Sequence, residues 1–334
     1  MSDLRDLRRL EPQFFRAPSA HNTQPWALRY LPERVELQFD PVRELPAGDP
    51  TRRDLLLSLG ALTEAVLVAA SSVGIPLEFE PEFDGEQLRV GAFRRAGSLY
   101  ATPFTPDDLT RRQTSRLEYL PGRLTADELA DARSQLGGDA DLHELPTRDL
   151  VDLNVVAERH LYDSPVVVEE LRSWLRLSNR HPRYREDGLS YECLGLGRAE
   201  AAAVALLLRP RMYRLVRTLR LQRRFTATTT ALLERDGSAL VLEGTAETPE
   251  QTLAHGRSLL RVWLALSRRS LHTHPLSQIL DCDATARELA ARVGTATGRR
   301  LLCVFRAGRS ETPPRSSRRS LFADRDSAEA ESRG

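Results

Sequence analysis

The sequence contains no lysine; all 48 of its basic residues are arginine. That absence removes a Schiff-base amine, a phosphate-binding P-loop lysine and a Ser-Lys nucleophile pair. Cysteine is almost as scarce. Cys193, Cys282 and Cys303 are odd in number, widely spaced and form no C-x-x-C, so neither a disulfide framework nor a zinc site is expected. No stretch reaches the roughly 18 apolar residues of a membrane span. Residues 1–9 are charged and lack the apolar centre of a secretion signal. The net charge is only +1, so no global field draws the chain to nucleic acid or an anionic membrane. These absences predict a cytoplasmic protein with no metal, no nucleic acid and no membrane partner.

What is present is length and periodicity. At 334 residues the chain exceeds the about 250–300 residues at which a single core stops growing, so two modules are expected. The first, residues 1–102, reads as a short helix carrying Leu4, Leu7 and Leu10, a polar segment, and strands at 27–30 and 34–39 around Pro32-Glu33. A long helix follows. Thr51 and Asp54 have capping-box spacing, while Leu55, Leu59, Leu62, Val66 and Ala69 recur at helical intervals. Gly74 stands where a C-cap glycine belongs, and strands are expected at 75–81 and 87–93.

The second module, residues 103–322, predicts helices over 125–136, 150–161, 165–177 and 198–208, the third opened by Ser164 and Pro165. Strands are expected at 140–145, 238–242 and 301–305. A second long helix spans 249–269, with Leu253, Leu260 and Leu264 on one side. Residues 179–197 break periodicity, and the charged tail 323–334 is expected to be disordered. The two modules share an outline of helix, strand, long apolar helix and strand.

Four segments could carry chemistry. Residues 17–26 pack Ser19, His21, Asn22 and Gln24 between Pro18 and Pro25, which forbid a regular helix. Amides offer a donor and an acceptor side by side, suiting a planar heterocycle whose edge alternates carbonyl and N–H. A capped loop feeding a hairpin explains the same residues. Arg111-Arg112-Gln113-Thr114-Ser115-Arg116 has the forked donors of a phosphate clamp, or is a solvated loop. His272-Thr273-His274-Pro275 suggests a metal pair but shows no third ligand. In the stretch 209–224, Met212, Leu215, Val216 and Leu219 form one stripe, and Arg214, Arg217 and Arg220 the other side. It reads as a core helix with a solvated face, as a membrane or nucleic-acid face, or, within 180–225, as a lid. Gly195-Leu196-Gly197 is an incomplete dinucleotide fingerprint, and no G-x-S-x-G or H-E-x-x-H occurs.

Ala17-Pro18-Ser19-x-His21-Asn22-Thr23-Gln24-Pro25-Trp26 resembles the flavin-gripping segment of the nitroreductase superfamily, in the form found in its two-module Acg-type FMN-binding oxidoreductases. Gly48-Asp49-Pro50-Thr51-x-Arg53 and Pro313-Pro314-Arg315-Ser316-Ser317-Arg318-Arg319 extend the resemblance from about residue 5 to 322. The run at 111–116 resembles the basic opening that holds the FMN phosphate in that superfamily. Single-module members place this basic run first; here it comes second, as a fused and diverged duplication would leave it. The resemblance implies a nitroreductase-like α+β fold, with two diverged modules forming an intramolecular pseudo-dimer that is a monomer or a weak homodimer.

It also implies one FMN, gripped by Ser19, His21, Asn22 and Gln24 and clamped by Arg111, Arg112, Ser115, Arg116, Arg315 and Arg319. His274 and Pro275 would pass near flavin N5. The flavin carries the hydride, so no catalytic side chain is named. The implied activity is NAD(P)H-dependent two-electron reduction of a nitroaromatic, quinone or related small acceptor. A lidded flavin-sequestering stress protein and a flavin-dependent biosynthetic dehydrogenase need the same residues.

Overall fold

The computed structural model describes residues 4–85, 88–219 and 226–319. The 323–334 tail and residues 220–225 of the expected lid lie outside them. The first half contains α1 (Glu11–Phe14), β1 (Trp26–Tyr30), β2 (Arg34–Phe39), α2 (Arg53–Ser72), β3 (Leu77–Asp84) and β4 (Arg89–Arg95). The second begins with α3 (Pro106–Arg111), α4 (Ala126–Arg133), β5 (Asp141–Pro146), α5 (Val151–Asp163), α6 (Pro165–Trp174), β6 (Leu175–Arg176) and β7 (Leu189–Ser190). It continues through α7 (Arg198–Leu207), α8 (Pro210–Thr218), α9 (Thr226–Leu233), β8 (Ser238–Gly244), α10 (Pro249–Arg268), β9 (His272–Pro275), α11 (Gln278–Asp281), α12 (Asp283–Val293) and β10 (Arg300–Gly308).

The two halves repeat one plan. Antiparallel sheets run in the order β1-β2-β4-β3 and β5-β8-β10-β9, and the long helix lies between the second and third strands used in each sheet. Both long helices have 20 residues. Gly60 is the eighth residue of α2 and Gly256 the eighth of α10, and the two meet where the helices cross. A Cβ on Gly60 would lie 2.0 Å from Leu253 O, and one on Gly256 would lie 2.3 Å from Leu57 O. Leu57 and Leu253 are each the fifth residue of their helix, so the contact is reciprocal, as in an isologous dimer interface. Each helix also closes the other half's core. Leu253, Leu260 and Leu264 pack with the first sheet, and Leu57 packs with Leu240, Leu242 and Phe305 of the second. α2 is long and apolar enough by composition to cross a bilayer, but it is buried by this packing.

Local signals explain most element ends. Ser164 Oγ accepts from Val167 N and Pro165 follows at the first helical position, as the sequence predicts for α6. Thr248 and Gln251 form a capping box on α10. Gly74 takes the left-handed conformation after α2, and Ser270 does so at the equivalent place after α10. The expected Thr51–Asp54 box is not used. The N-cap of α2 is Arg52, left-handed at φ 57° with no side-chain cap. Asp49 Oδ2 instead accepts from Leu55 N at 2.8 Å, because the turn at 48–50 carries that carboxylate over the helix start. The helix expected to end at 177 stops at Trp174, where the chain turns into β6. His272–Pro275, where no strand was expected, is a strand paired with β10.

The halves differ in two connections. Only residues 85–88 separate β3 from β4, whereas α11 and α12 lie between β9 and β10. β1 and β2 are joined by a short turn, whereas β5 and β8 are separated by all of α5–α9. This insertion roofs one end of the α2–α10 crossing.

Candidate functional site

Under that roof lies a cavity of about 560 Å³, within the range of small-molecule sites. Its floor is Leu57, Ser58 and Ala61 of α2 with Leu259 and Trp263 of α10. Residues 18–22, 112–114 and 116 form its walls, and Ala157, Leu161 and Leu171 of the insertion cover it.

Residues 19–24 form a strained loop. His21, Asn22 and Gln24 have φ of 47°, 56° and 52°, a region costing a non-glycine residue about 1–2 kcal/mol. Asn22 N donates to Ser19 O at 3.0 Å and Gln24 N to Ser19 Oγ at 2.9 Å, holding the loop in place. Ser19, His21 and Asn22 line the cavity; Gln24 does not and is 1% exposed. Both amides are engaged within the chain. Asn22 Nδ2 donates to the carbonyls of Gly188 and Ser317, each at 3.1 Å, and its Oδ1 accepts from Arg318 Nη1 at 2.8 Å. Gln24 Nε2 donates to Glu186 O at 2.8 Å, and Arg319 N donates to its Oε1 at 2.9 Å. The two amides tie the insertion and the C-terminal segment over the cavity.

The basic run is extended after α3, so its side chains alternate. Arg112, Thr114 and Arg116 line the cavity, together with Gln113. Arg111 sits outside it, exposed and paired with Asp107. Ser115 is fully buried and bonds Ser310 Oγ at 2.8 Å. The sequence signal marked the run, but only Arg112 and Arg116 of its four expected clamp residues reach the cavity.

Arg112 is 4% exposed, and its Nε and Nη1 have no partner among the described residues. Its Nη2 donates to Arg16 O at 3.1 Å, and its guanidinium lies 5.7 Å from the Trp263 ring centre. Arg116 makes no hydrogen bond among the described residues. Arg16 and Arg318, which the sequence reading did not select, complete the cluster. Arg318 lines the cavity and donates to Phe15 O at 2.7 Å and Arg16 O at 3.2 Å. None of these four arginines meets a carboxylate within ion-pair distance among the described residues. Burial and then the Arg16 guanidinium push Arg112 down to about 9; burial and then Arg315 push Arg16 down to about 10. Burial, then Arg16 and Arg112, push Arg318 well down. A guanidinium stays charged at neutral pH, so these shifts mark a positive pocket in need of an anion. Arg315 is exposed and bonds Thr110 O, and Arg319 lies 3.8 Å from Asp40; neither lines the cavity.

The opposite end is acidic. Asp49, Asp54 and Asp281 line it around Arg53, which donates to Asp54 at 2.9 Å and to Asp281 at 2.8 Å. Burial and then the Asp54 charge push Asp49 up to about 7. Burial likewise pushes Asp281 up to about 7, against the pull of Arg53. His21 stands between the poles. Burial, reinforced by Arg116, pushes it down to about 4, so it is neutral at pH 7. His274 and Pro275 line the cavity from β9, and His274 Nδ1 accepts from Arg306 Nε at 3.1 Å.

The roof is fastened by buried charge. Asp187, 1% exposed, accepts from Arg43 at 2.9 Å, Arg176 at 2.6 Å and Arg183. Glu170 of α6 accepts from Ala47 N and Gly48 N at 2.9 and 2.8 Å.

The chain is similar in sequence to proteins named as NAD(P)H nitroreductases. Its relatives include a Mycobacterium tuberculosis protein provisionally named NAD(P)H nitroreductase, 40% identical over 135 residues, 37% of each chain. The chain thus matches little more than a third of that relative's length. A Serratia protein provisionally named NAD(P)H nitroreductase PigM is 24% identical over 307 residues, 84% of this chain and 82% of that one. Among solved structures, the FMN- and NADPH-dependent nitroreductase NfnB of a Sphigopyxis strain aligns at 17% identity and a TM-score of 0.36, over 63% of this chain and 94% of that one. No protein-family model matches the chain.

Proposed function

We propose that this chain is an FMN-binding oxidoreductase that uses NAD(P)H to reduce a small acceptor of nitroaromatic or quinone type. The observation that carries this reading is the unneutralised Arg112, Arg116 and Arg318 lining a 560 Å³ cavity, with Nε and Nη1 of buried Arg112 unpartnered among the described residues. Phosphate oxygens match those donors. Arg112 and Arg116 would hold the phosphate, with Arg16 and Arg318 supplying positive field. Thr114 faces the same space. The apolar floor of Leu57, Ala61 and Leu259 suits a flat ring, and His21, His274 and Pro275 border it. FMN when bound supplies two-electron redox chemistry. The protein positions it, supplies charge, and excludes water through the insertion. Modules of 1–102 and 103–322 with one flavin per chain, each holding half of the site, complete the proposal.

A second reading has its own observation. Asn22, Gln24 and Asp187 latch the roof with buried hydrogen bonds, which favours a flavin-sequestering protein closed to reductant. The test is purification of the full chain, identification of a bound chromophore by mass spectrometry, and anaerobic mixing with NADPH and NADH. Bleaching by either nicotinamide supports the oxidoreductase. Bleaching by dithionite alone supports the sequestering protein. A chain that is colourless and takes up no added FMN sinks both.

A further inference from the structure

The site leaves the arginine-rich part of the insertion unused. Between residues 198 and 224 the sequence has eight arginines and a single acid, Glu200, in a chain of net charge +1. The near-neutral total conceals a strongly cationic segment. α7 and α8 pack inward through Val204, Leu208 and Tyr213, against Leu161, Tyr162 and Val168. The outward side is apolar where water should favour polar groups: Leu215 is 51% exposed, Leu219 57%, and Leu206 46%. Leu215 and Leu219, four residues apart, share a face. Arg209, Arg211, Arg214 and Arg217 are exposed around them. None of these four has a carboxylate within ion-pair distance among the described residues. Some arginines elsewhere find acids, as Arg268 does Asp108 and Arg299 does Asp141.

Unpaired arginines alone would fit any polyanion. The exposed leucines between them are what a bilayer surface uses and a nucleic-acid backbone does not. We propose that the α7–α8 hairpin docks on an anionic lipid surface. Leu206, Leu215 and Leu219 enter the headgroup boundary, and Arg209, Arg211, Arg214 and Arg217 meet lipid phosphates. The hairpin lies on the bilayer and does not cross it. This inference is independent of the flavin reading, since none of these side chains lines the cavity.

The test is co-sedimentation of the full chain with vesicles of phosphatidylcholine alone or mixed with phosphatidylglycerol. The expected result is at least about tenfold stronger binding to the anionic vesicles, weakened by salt. Two double variants, L215S/L219S and R214E/R217E, should each lose about tenfold in that binding. Both alter exposed side chains, and unchanged melting temperature and chromophore content confirm that each variant is folded. Equal binding to both vesicle types overturns the proposal. So does wild-type affinity in L215S/L219S, which would leave only non-specific electrostatics. Tighter binding to duplex DNA than to anionic vesicles also overturns it, and assigns the face to nucleic acid.

Discussion

The two ends of the α2–α10 crossing start from the same backbone and finish as opposites. At one end α2 offers Leu57, Ser58 and Ala61, and the groove above them is the cavity. The matching positions of α10 at the other end are Leu253, Ala254 and Arg257. There Arg257 fills the space that Ala61 leaves open. Its Nε donates to Glu64 at 3.0 Å, Arg261 donates to the same carboxylate at 3.1 Å, and Tyr100 Oη donates to its other oxygen at 2.6 Å. Glu64 is completely buried. One groove therefore holds cations without a counter-ion, and the other holds a satisfied ion-pair network. A charge that is paired and hydrogen-bonded can stay buried as structure; a buried charge left unpaired calls for a ligand.

This contrast can be broken at either end. The largest effect is expected from removing Arg112 and Arg116 together. Charged hydrogen bonds are worth about 1.5–3 kcal/mol each, so Arg112→Ala with Arg116→Ala should weaken FMN about 10²–10⁴-fold, measured by fluorescence titration. Retained affinity would put the phosphate elsewhere. At the sealed end, Glu64→Ala strands two arginines and should cost about 3–5 kcal/mol of stability. Denaturant melts measure the loss, while flavin content should stay at one per chain. Uptake of a second flavin would show that the network alone closes an otherwise competent groove.

The crossing itself is tested next. Gly60→Ala and Gly256→Ala drive a methyl into the partner helix and should each destabilise by about 1–3 kcal/mol. The reciprocal contact predicts similar losses, and strongly unequal ones would break the two-fold relation. A smaller effect comes from Asp49. Its folded pKa is raised to about 7, above an unfolded value of about 4. The native state therefore keeps a proton that the unfolded chain releases. Stability should fall as pH rises through that window and level off above it. Asp49→Asn should flatten part of this fall in melts at several pH values, with Asp281 supplying the rest. The smallest effect is expected from Arg111→Ala, within about 0.5 kcal/mol as for other exposed sites. FMN affinity reduced as far as in the Arg112 variant would restore the whole basic run to the clamp.

Much of the fold is legible along the chain because its signals are local. Alternation placed β2 at 34–39, and the leucine spacing placed α10 to within one residue of Arg268. Helices α3 and α11, of six and four residues, are too short to show a period. α12 buries only Thr285 and Leu289, a stripe too thin to stand out. The site is less legible. Its loop and basic run are visible, yet Gln24 and Asn22 are spent on carbonyls 162 and 166 residues away. Arg16 lies in no motif. Arg318 lies in the 313–319 motif, but its neighbours Arg315 and Arg319 were the expected clamp residues, and 302 residues separate Arg16 from Arg318.

The sequence by itself determined that this lysine-free chain carries two strand–helix–strand halves, a polar loop between prolines and a run of arginines. Those follow from spacing, capping and composition, which act over a few residues. The tertiary structure alone decided that Arg112 and Arg116 face the cavity while Arg111 and Ser115 do not. It also decided that Ala61 leaves one groove open where Arg257 seals its counterpart. The physical reason is that a side chain's direction and solvation depend on the elements packed against it, and those come from the far end of the chain.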